Sequence, residues 1–216
     1  MYPRGNLFIP ASHGRLEAIL KEPREGRRGV AVVAHPHPLG GGTMHNKVVY
    51  RIAAGLVDAG LLAVRFNFRG VGASTGEHNE VEGGVEDVRD VLDYMEQNYP
   101  GEDLTLAGFS FGSRTSMEAG SDDPKVARLI SVGTPVEKYR DYDFLTAVTK
   151  PILFIHGDHD EFCSVESLRS LTDRIPHAEV VIFENSGHFF DEDLEELRRV
   201  VAEWTADQIS LVDLVE

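Results

Sequence analysis

In Leu-Ala-Gly-Phe-Ser-Phe-Gly-Ser, residues 106–113, Ser110 stands between two phenylalanines, with Gly108 and Gly112 two places to either side. Clearing the flanking side chains has a physical use. A sharp strand-to-helix turn pushes its middle residue to positive φ, and the facing backbones approach so closely that only glycine fits beside it. Such a turn lifts the hydroxyl clear of a sheet and sets it at a helix N-terminus, where free N–H groups favour developing negative charge. Ser110 is thereby a candidate nucleophile. A serine alone is a poor one and needs a base, which an acid holds in one tautomer.

Of the nine histidines, His188, in Asn-Ser-Gly-His-Phe-Phe, falls just after the last strand pattern and before the last helical one. His177 precedes its strand and reads as a solvated turn residue. The acid belongs in Ile-His-Gly-Asp-His-Asp-Glu-Phe, residues 155–162, where Asp158, Asp160 and Glu161 compete. Asp158 is placed to bond neighbouring amides at the first step out of a strand. Asp160 lies further into the loop, where it can reach a histidine, and spacing leaves these two level.

A fourth stretch, His-Pro-His-Pro-Leu-Gly-Gly-Gly-Thr-Met-His-Asn (35–46), also follows a strand pattern. Pro36 and Pro38 have no N–H, which leaves His37, Leu39 and the glycines as amide donors. A rigid segment of this kind suits an oxyanion hole, in which one missing donor costs roughly 3–4 kcal/mol. Phe111, the residue after the serine, is expected to supply the other N–H.

These residues need elements to hold them, and two hydrophobic periods alternate along the chain. Strand patterns fall near Leu7–Ile9, Leu16–Leu20, 29–35, Leu61–Phe68, Leu104–Ala107, Val126–Val132, Ile152–Ile155 and Val180–Phe183. Helical spacing appears at Val48–Val57, closed by Gly60, then at Val85–Met95, after Ser110 through Met117, at Val165–Ile175 and at Leu194–Trp204. Residues 134–150 form a 17-residue connection without a strong period. Alternation of this kind predicts an α/β fold, a parallel sheet covered on both faces, with ligands at the carboxyl ends of the strands. All four candidate stretches sit just after strands.

The chain of 216 residues fits a single domain, 1–216, and is 42% hydrophobic and 26% charged. Its net charge of −15 repels phosphate backbones and anionic lipid, which argues against nucleic-acid and membrane partners. One cysteine, Cys163, makes no internal disulfide and reads as a small packed residue. With no signal-like N-terminal pattern, the expected location is cytoplasmic. Ile209, Leu211, Val212, Leu214 and Val215 leave two packings open, on the domain itself or against a second copy of the chain as a homodimer.

Together these residues resemble the α/β-hydrolase superfamily, whose nucleophile, acid and histidine follow in the chain order Ser110, Asp160, His188. The resemblance spans residues 30–204. It implies a three-layer α/β/α sandwich with about eight mostly parallel strands, and it resolves the acid to Asp160, three residues beyond the glycine of His-Gly-x-x-Asp. The 35–46 stretch and Arg-Phe-Asn-Phe-Arg-Gly-Val-Gly-Ala-Ser (65–74) are similar to small, lid-less bacterial serine hydrolases near the dienelactone hydrolases. Dienelactone hydrolases proper carry cysteine where this chain has Ser110, and dehalogenases and epoxide hydrolases carry aspartate. The implied activity is a carboxylesterase acting on small esters, with thioesterase, peptidase and acyltransferase sharing the same site. No metal or other cofactor is required. With only a short connection in place of a lid, the expected pocket is small, walled by Tyr139, Tyr142, Phe144 and Leu145, with Phe109 and Phe111 if they face it. A metallohydrolase built on His35, His37, His45, His156, Asp158 and His159 is the rival, although no third ligand falls at a recognised metal spacing. A non-catalytic binding scaffold on the same fold is the other.

Overall fold

The computed structural model describes residues 6–213. Eight strands form one sheet: β1 (Asn6–Ala11), β2 (Gly14–Lys21), β3 (Val30–Ala34), β4 (Leu62–Phe66), β5 (Leu104–Phe109), β6 (Val126–Val132), β7 (Ile152–Gly157) and β8 (Ala178–Phe183). Their order is β1-β2-β4-β3-β5-β6-β7-β8. β1 pairs antiparallel with β2 and β2 antiparallel with β4, and all later pairs are parallel. The helices are α1 (Lys47–Asp58), α2 (Glu80–Asn98), α3 (Phe111–Ser121), α4 (Val136–Tyr139), α5 (Val165–Thr172) and α6 (Leu194–Asp213).

The central strands are apolar on both sides, and their period of two sorts side chains into two cores. Val30 and Val32 of β3, Leu104 and Leu106 of β5, and Ile152 and Phe154 of β7 face the layer that contains α2, α3 and α5. Ala31 and Val33, Ala107 and Phe109, and Leu153 and Ile155 face the layer of α1 and α6. Each such valine, leucine or phenylalanine removed from water contributes roughly 1.5–3 kcal/mol, so the sheet is clamped along its length. Chain direction across the sheet reverses at β3, whose neighbours are β4 and β5. A crevice therefore opens where the loops leaving β3 and β5 part, the usual ligand position in an open α/β sheet.

The element pattern expected from the sequence is met, with three short additions, the first a 3-10 turn at Pro38–Gly40. The 134–150 connection contains the single turn α4 and a 3-10 turn at Asp143–Ala147, both too short to leave a readable period. It carries no inserted lid. The last helix runs on to Asp213, which buries Ile209 in the α1–α6 core while Leu211 stays exposed. The side chain of Val212 and all of Leu214 and Val215 lie outside the described residues.

One buried residue ties the crevice to the sheet. His35, fully buried just past β3, accepts a hydrogen bond at Nε2 from the Phe68 amide (3.0 Å) and donates from Nδ1 to the Pro36 carbonyl (2.6 Å). Both nitrogens are used by a neutral ring. Burial pushes its pKa from 6.5 down to about 4. The unfolded chain takes up a proton below pH 6.5 that the fold refuses, so this contribution is complete above pH 6.5 and is lost as the pH falls toward 4. At 1.36 kcal/mol per pKa unit the loss is on the order of 3 kcal/mol. Urea midpoints measured from pH 7.5 to 4 should fall, and His35→Gln should flatten that limb. An equal slope in the variant would assign it to other groups.

Candidate active site

The turn at Ser110 has the strained form the sequence suggested. Ser110 sits at φ 57°, ψ −116°, between the end of β5 and the first residue of α3. A Cβ on Gly108 would stand 2.1 Å from the Gly112 carbonyl oxygen, and one on Gly112 would stand 2.4 Å from that of Ala34. No neighbour can yield there, because both obstacles are backbone. The Ser110 N–H donates to Val132 O (2.9 Å), and the Ser110 carbonyl accepts from the Ser113 hydroxyl (2.7 Å) and the Ser113 amide (2.9 Å). The turn is thus fixed on both sides of the hydroxyl.

His188 and Asp160 meet from two other loops. His188 Nδ1 lies 2.7 Å from Asp160 Oδ2, with the carboxylate fully buried and the imidazole nearly so. The other carboxylate oxygen, Oδ1, accepts the Phe162 amide (2.8 Å) and the Cys163 amide (3.3 Å). With three donors the acid is aimed as well as placed. Phe109, Phe162 and Phe189 pack around the imidazole at ring separations of 4.9, 4.7 and 5.3 Å. The two loops run against each other: His159 N–H donates to Ser186 O, Ser186 N–H to Asp158 Oδ1, and His188 N–H to Glu161 Oε2. A Cβ on Gly157 would stand 2.1 Å from Ser186 O, so glycine is required at this crossing. Asp158 therefore braces the loops while Asp160 faces the histidine.

Ser110 and His188 line one cleft of about 310 Å³ together with Phe111, His37, Tyr139 and Phe162. No hydrogen bond joins the serine to the histidine among the described residues; such contacts commonly tighten only when substrate binds. Most amides of the loop that shares this cleft are already bonded. Gly40 and Gly42 donate to His37 O, Gly41 donates to Pro38 O, and Leu39 N–H donates to His37 Nδ1 (3.2 Å). His37 N–H in this loop and Phe111 N–H at the start of α3 have no protein partner among the described residues; Thr43 N–H and Gly112 N–H have none either, but His37 and Phe111 line the cleft and those two do not. Leu39 is corrected: its amide is taken by the His37 side chain, which caps a 3-10 turn, and the residue is 76% exposed and does not line the cleft.

The aromatic wall is also corrected in part. Tyr139 and Phe111 line the cleft. Phe109 points from β5 into the α1–α6 core and supports His188 from behind. Tyr142 is buried in the opposite core, where it stacks on Phe144 under the Arg114 guanidinium, and Leu145 is buried with it. The wall is completed by Phe162, Phe189 and Pro135.

Supporting residues escaped the sequence reading. Arg65 Nη1 donates to Met44 O (2.7 Å), and Asn67 Oδ1 accepts the Met44 amide (2.8 Å), so the 65–74 stretch anchors the 35–46 loop. His156, fully buried, donates from Nε2 to Cys163 O (2.7 Å) and holds the turn whose amides grip Asp160. The histidines of the metal rival are dispersed. Of its six residues, only His37 falls in a group with metal-like spacing among the described residues, beside His78 and Glu80. A second such group, His13, Asp87 and Asp90, is built around the Arg69 ion pair with Asp87.

The chain belongs to the α/β serine hydrolases. The profile of the family described as serine aminopeptidase, S33, matches residues 27–146. An α/β serine hydrolase homologue from Coxiella burnetii is 38% identical, with a TM-score of 0.85 over 94% of this chain and 98% of that one. An α/β serine hydrolase without a lid from Xanthomonas campestris is 31% identical, with a TM-score of 0.84 over 94% of each chain. An uncharacterized protein of Rickettsia prowazekii is 31% identical over 207 residues, 92% of this chain and 87% of that protein.

The two carboxylates separate in a simple experiment. Asp160→Asn should lower hydrolytic kcat by about 10⁴-fold, since the imidazolium loses its partner, and Asp158→Asn by less than about tenfold. The reverse ranking in steady-state kinetics would assign the acid to Asp158.

Proposed function

We propose that this chain is a carboxylesterase for short acyl esters, with Ser110 as nucleophile, His188 as base and Asp160 as the acid that orients it. The observation that carries the reading is the 2.7 Å His188–Asp160 contact in the cleft that also holds Ser110 on its strained turn. With Nδ1–H donated to Asp160, Nε2 is left to take the Ser110 proton as Oγ attacks the ester carbonyl. The C=O electron pair moves onto oxygen, where the His37 and Phe111 N–H groups receive it. As the carbonyl re-forms, the alcohol leaves with the proton from His188. Water, deprotonated by the same nitrogen, then attacks the acyl-enzyme and releases the acid. No ion enters these steps. Among the described residues no helix is long and apolar enough to cross a membrane; a cytoplasmic location is proposed on the sequence alone.

Ser110→Ala and His188→Ala should each lower kcat by roughly 10⁴–10⁶-fold with unchanged circular dichroism. Dialysis against EDTA should leave the wild type active, and a serine-directed organophosphate should abolish activity. Near-normal turnover by Ser110→Ala, or loss of activity to EDTA alone, would overturn the reading.

The cleft also sets a length limit. Its apolar wall is one layer of side chains, and Phe162 and Phe189 are themselves 50% and 38% exposed. A methylene contributes about 0.8 kcal/mol only where a wall buries it. Across 4-nitrophenyl esters kcat/KM should peak at or below about four to six acyl carbons and then fall. A steady rise through long chains would contradict the short pocket while leaving the serine chemistry standing.

A further inference from the structure

The cleft is charged unlike the rest of the molecule. The chain has 36 acidic and 21 basic residues, yet among the described residues no aspartate or glutamate lines the cleft. One ammonium does: Lys138, in the α4 turn. The side chain is exposed and, among the described residues, forms no ion pair with a carboxylate; the Tyr139 ring lies 5.2 Å from Nζ, and its charge is felt by His37.

The carboxylates nearby are committed elsewhere. Glu137, next in sequence, turns away: its Oε1 accepts the Ser164 amide (3.0 Å), the Ser164 hydroxyl (2.8 Å) and the Ser167 hydroxyl (2.7 Å). These bonds hold its pKa down at about 2, so it stays ionised and capped on α5. Asp160 is bound to His188, and Glu161 accepts the His188 amide. Glu80, with its side chain 74% exposed, lies 4.0 Å from His78 Nε2 and within 4.8 Å of a His37 ring nitrogen, but it does not line the cleft. The remaining polar side chain on this part of the wall is His37. Its Nδ1 accepts the Leu39 amide, so in the neutral ring the proton is on Nε2, a further donor. Burial first, and the Lys138 charge second, keep the His37 pKa below its ordinary 6.5.

A cation without a carboxylate partner, on the wall of a largely apolar cleft whose lining includes no aspartate or glutamate, is complementary to an anion. Resting on the serine-esterase reading, we infer that the substrate is an ester bearing a second, free carboxylate, and that Lys138 is the specificity-determining residue that receives it. The ester group lies over Ser110 and the carboxylate reaches the ammonium, so the substrate is a half-ester of a small dicarboxylic acid or an ester of a hydroxy acid.

Two matched pairs test this by pH-stat at pH 7.5 and low salt: monoethyl succinate against ethyl butanoate, and 4-carboxyphenyl butanoate against phenyl butanoate. The first pair carries the charge on the acyl side and the second on the alcohol side. The readout is the anionic-to-neutral ratio of kcat/KM in wild type and in Lys138→Met and Lys138→Glu, because the change in ratio cancels intrinsic ester reactivity. In at least one pair the ratio should fall about 3- to 10-fold in Lys138→Met and further in Lys138→Glu. The wild-type ratio should fall with added NaCl as the charge is screened. Ratios that Lys138→Met leaves unchanged in both pairs, with ordinary turnover of the neutral esters, would overturn the inference alone. Failure to hydrolyse all four esters would overturn it together with the esterase reading.

Discussion

Two carbonyl oxygens leave no room for a side chain on either side of Ser110. The backbone of α3 passes so close to β5 and to the end of β3 that a Cβ at Gly108 or Gly112 would lie 2.1 or 2.4 Å from main-chain oxygen. That crowding bends the chain so sharply that a non-glycine residue is held at φ 57°. Strain of this kind persists only where the surroundings over-determine it. Here the determinants are the β5 ladder to β3 and β6, the Ser110 N–H bond to Val132 O, and the Ser113 hydroxyl on the Ser110 carbonyl. The same bend puts Ser110 and Phe111, the first residue of α3, side by side on the cleft wall.

The other parts of the site are placed by loops, and each loop is pinned to the sheet by buried polar groups. His35 bridges the ends of β3 and β4 and starts the proline-rich loop in a fixed direction. Arg65 and Asn67 hold that loop at Met44. His156 holds the acid turn through the Cys163 carbonyl, and the close passage at Gly157 locks the acid loop to the histidine loop. A site held this way needs no lid for its geometry. Access is then governed by what remains at the rim: aromatic rings, half exposed, and a single ammonium.

Much of this is legible in the residues. Val30–Ala34, Ile152–Ile155 and the other buried strands announce themselves because parallel strands covered on both faces are continuously apolar. Gly-x-Ser-x-Gly is legible because steric demand admits one residue type at two fixed offsets. The acid is less so. Asp158 and Asp160 differ by two positions in one turn, and only the third dimension shows one facing Ser186 N–H and the other His188. The wall is hard to read from sequence for a related reason. Phe109 has strand periodicity that fits either core, and neither Tyr142, just before the 3-10 turn, nor Phe144, within it, has a period to say which way it faces. Leu39 was misread because its amide is consumed by a side chain, His37 Nδ1, an interaction with no sequence signature. Lys138 was invisible as a charge, since its meaning depends on Glu137 being occupied by Ser164 and Ser167.

The central claim is that the strained turn makes Ser110, and no other hydroxyl of the chain, a nucleophile. Its most direct measurement is to treat the native protein with a fluorophosphonate, digest it, and locate the adduct by peptide mass spectrometry. The account predicts stoichiometric modification, one adduct per chain, on Ser110. An adduct on a different residue, or an unmodified chain after full inactivation of a reference serine hydrolase in the same tube, would contradict it.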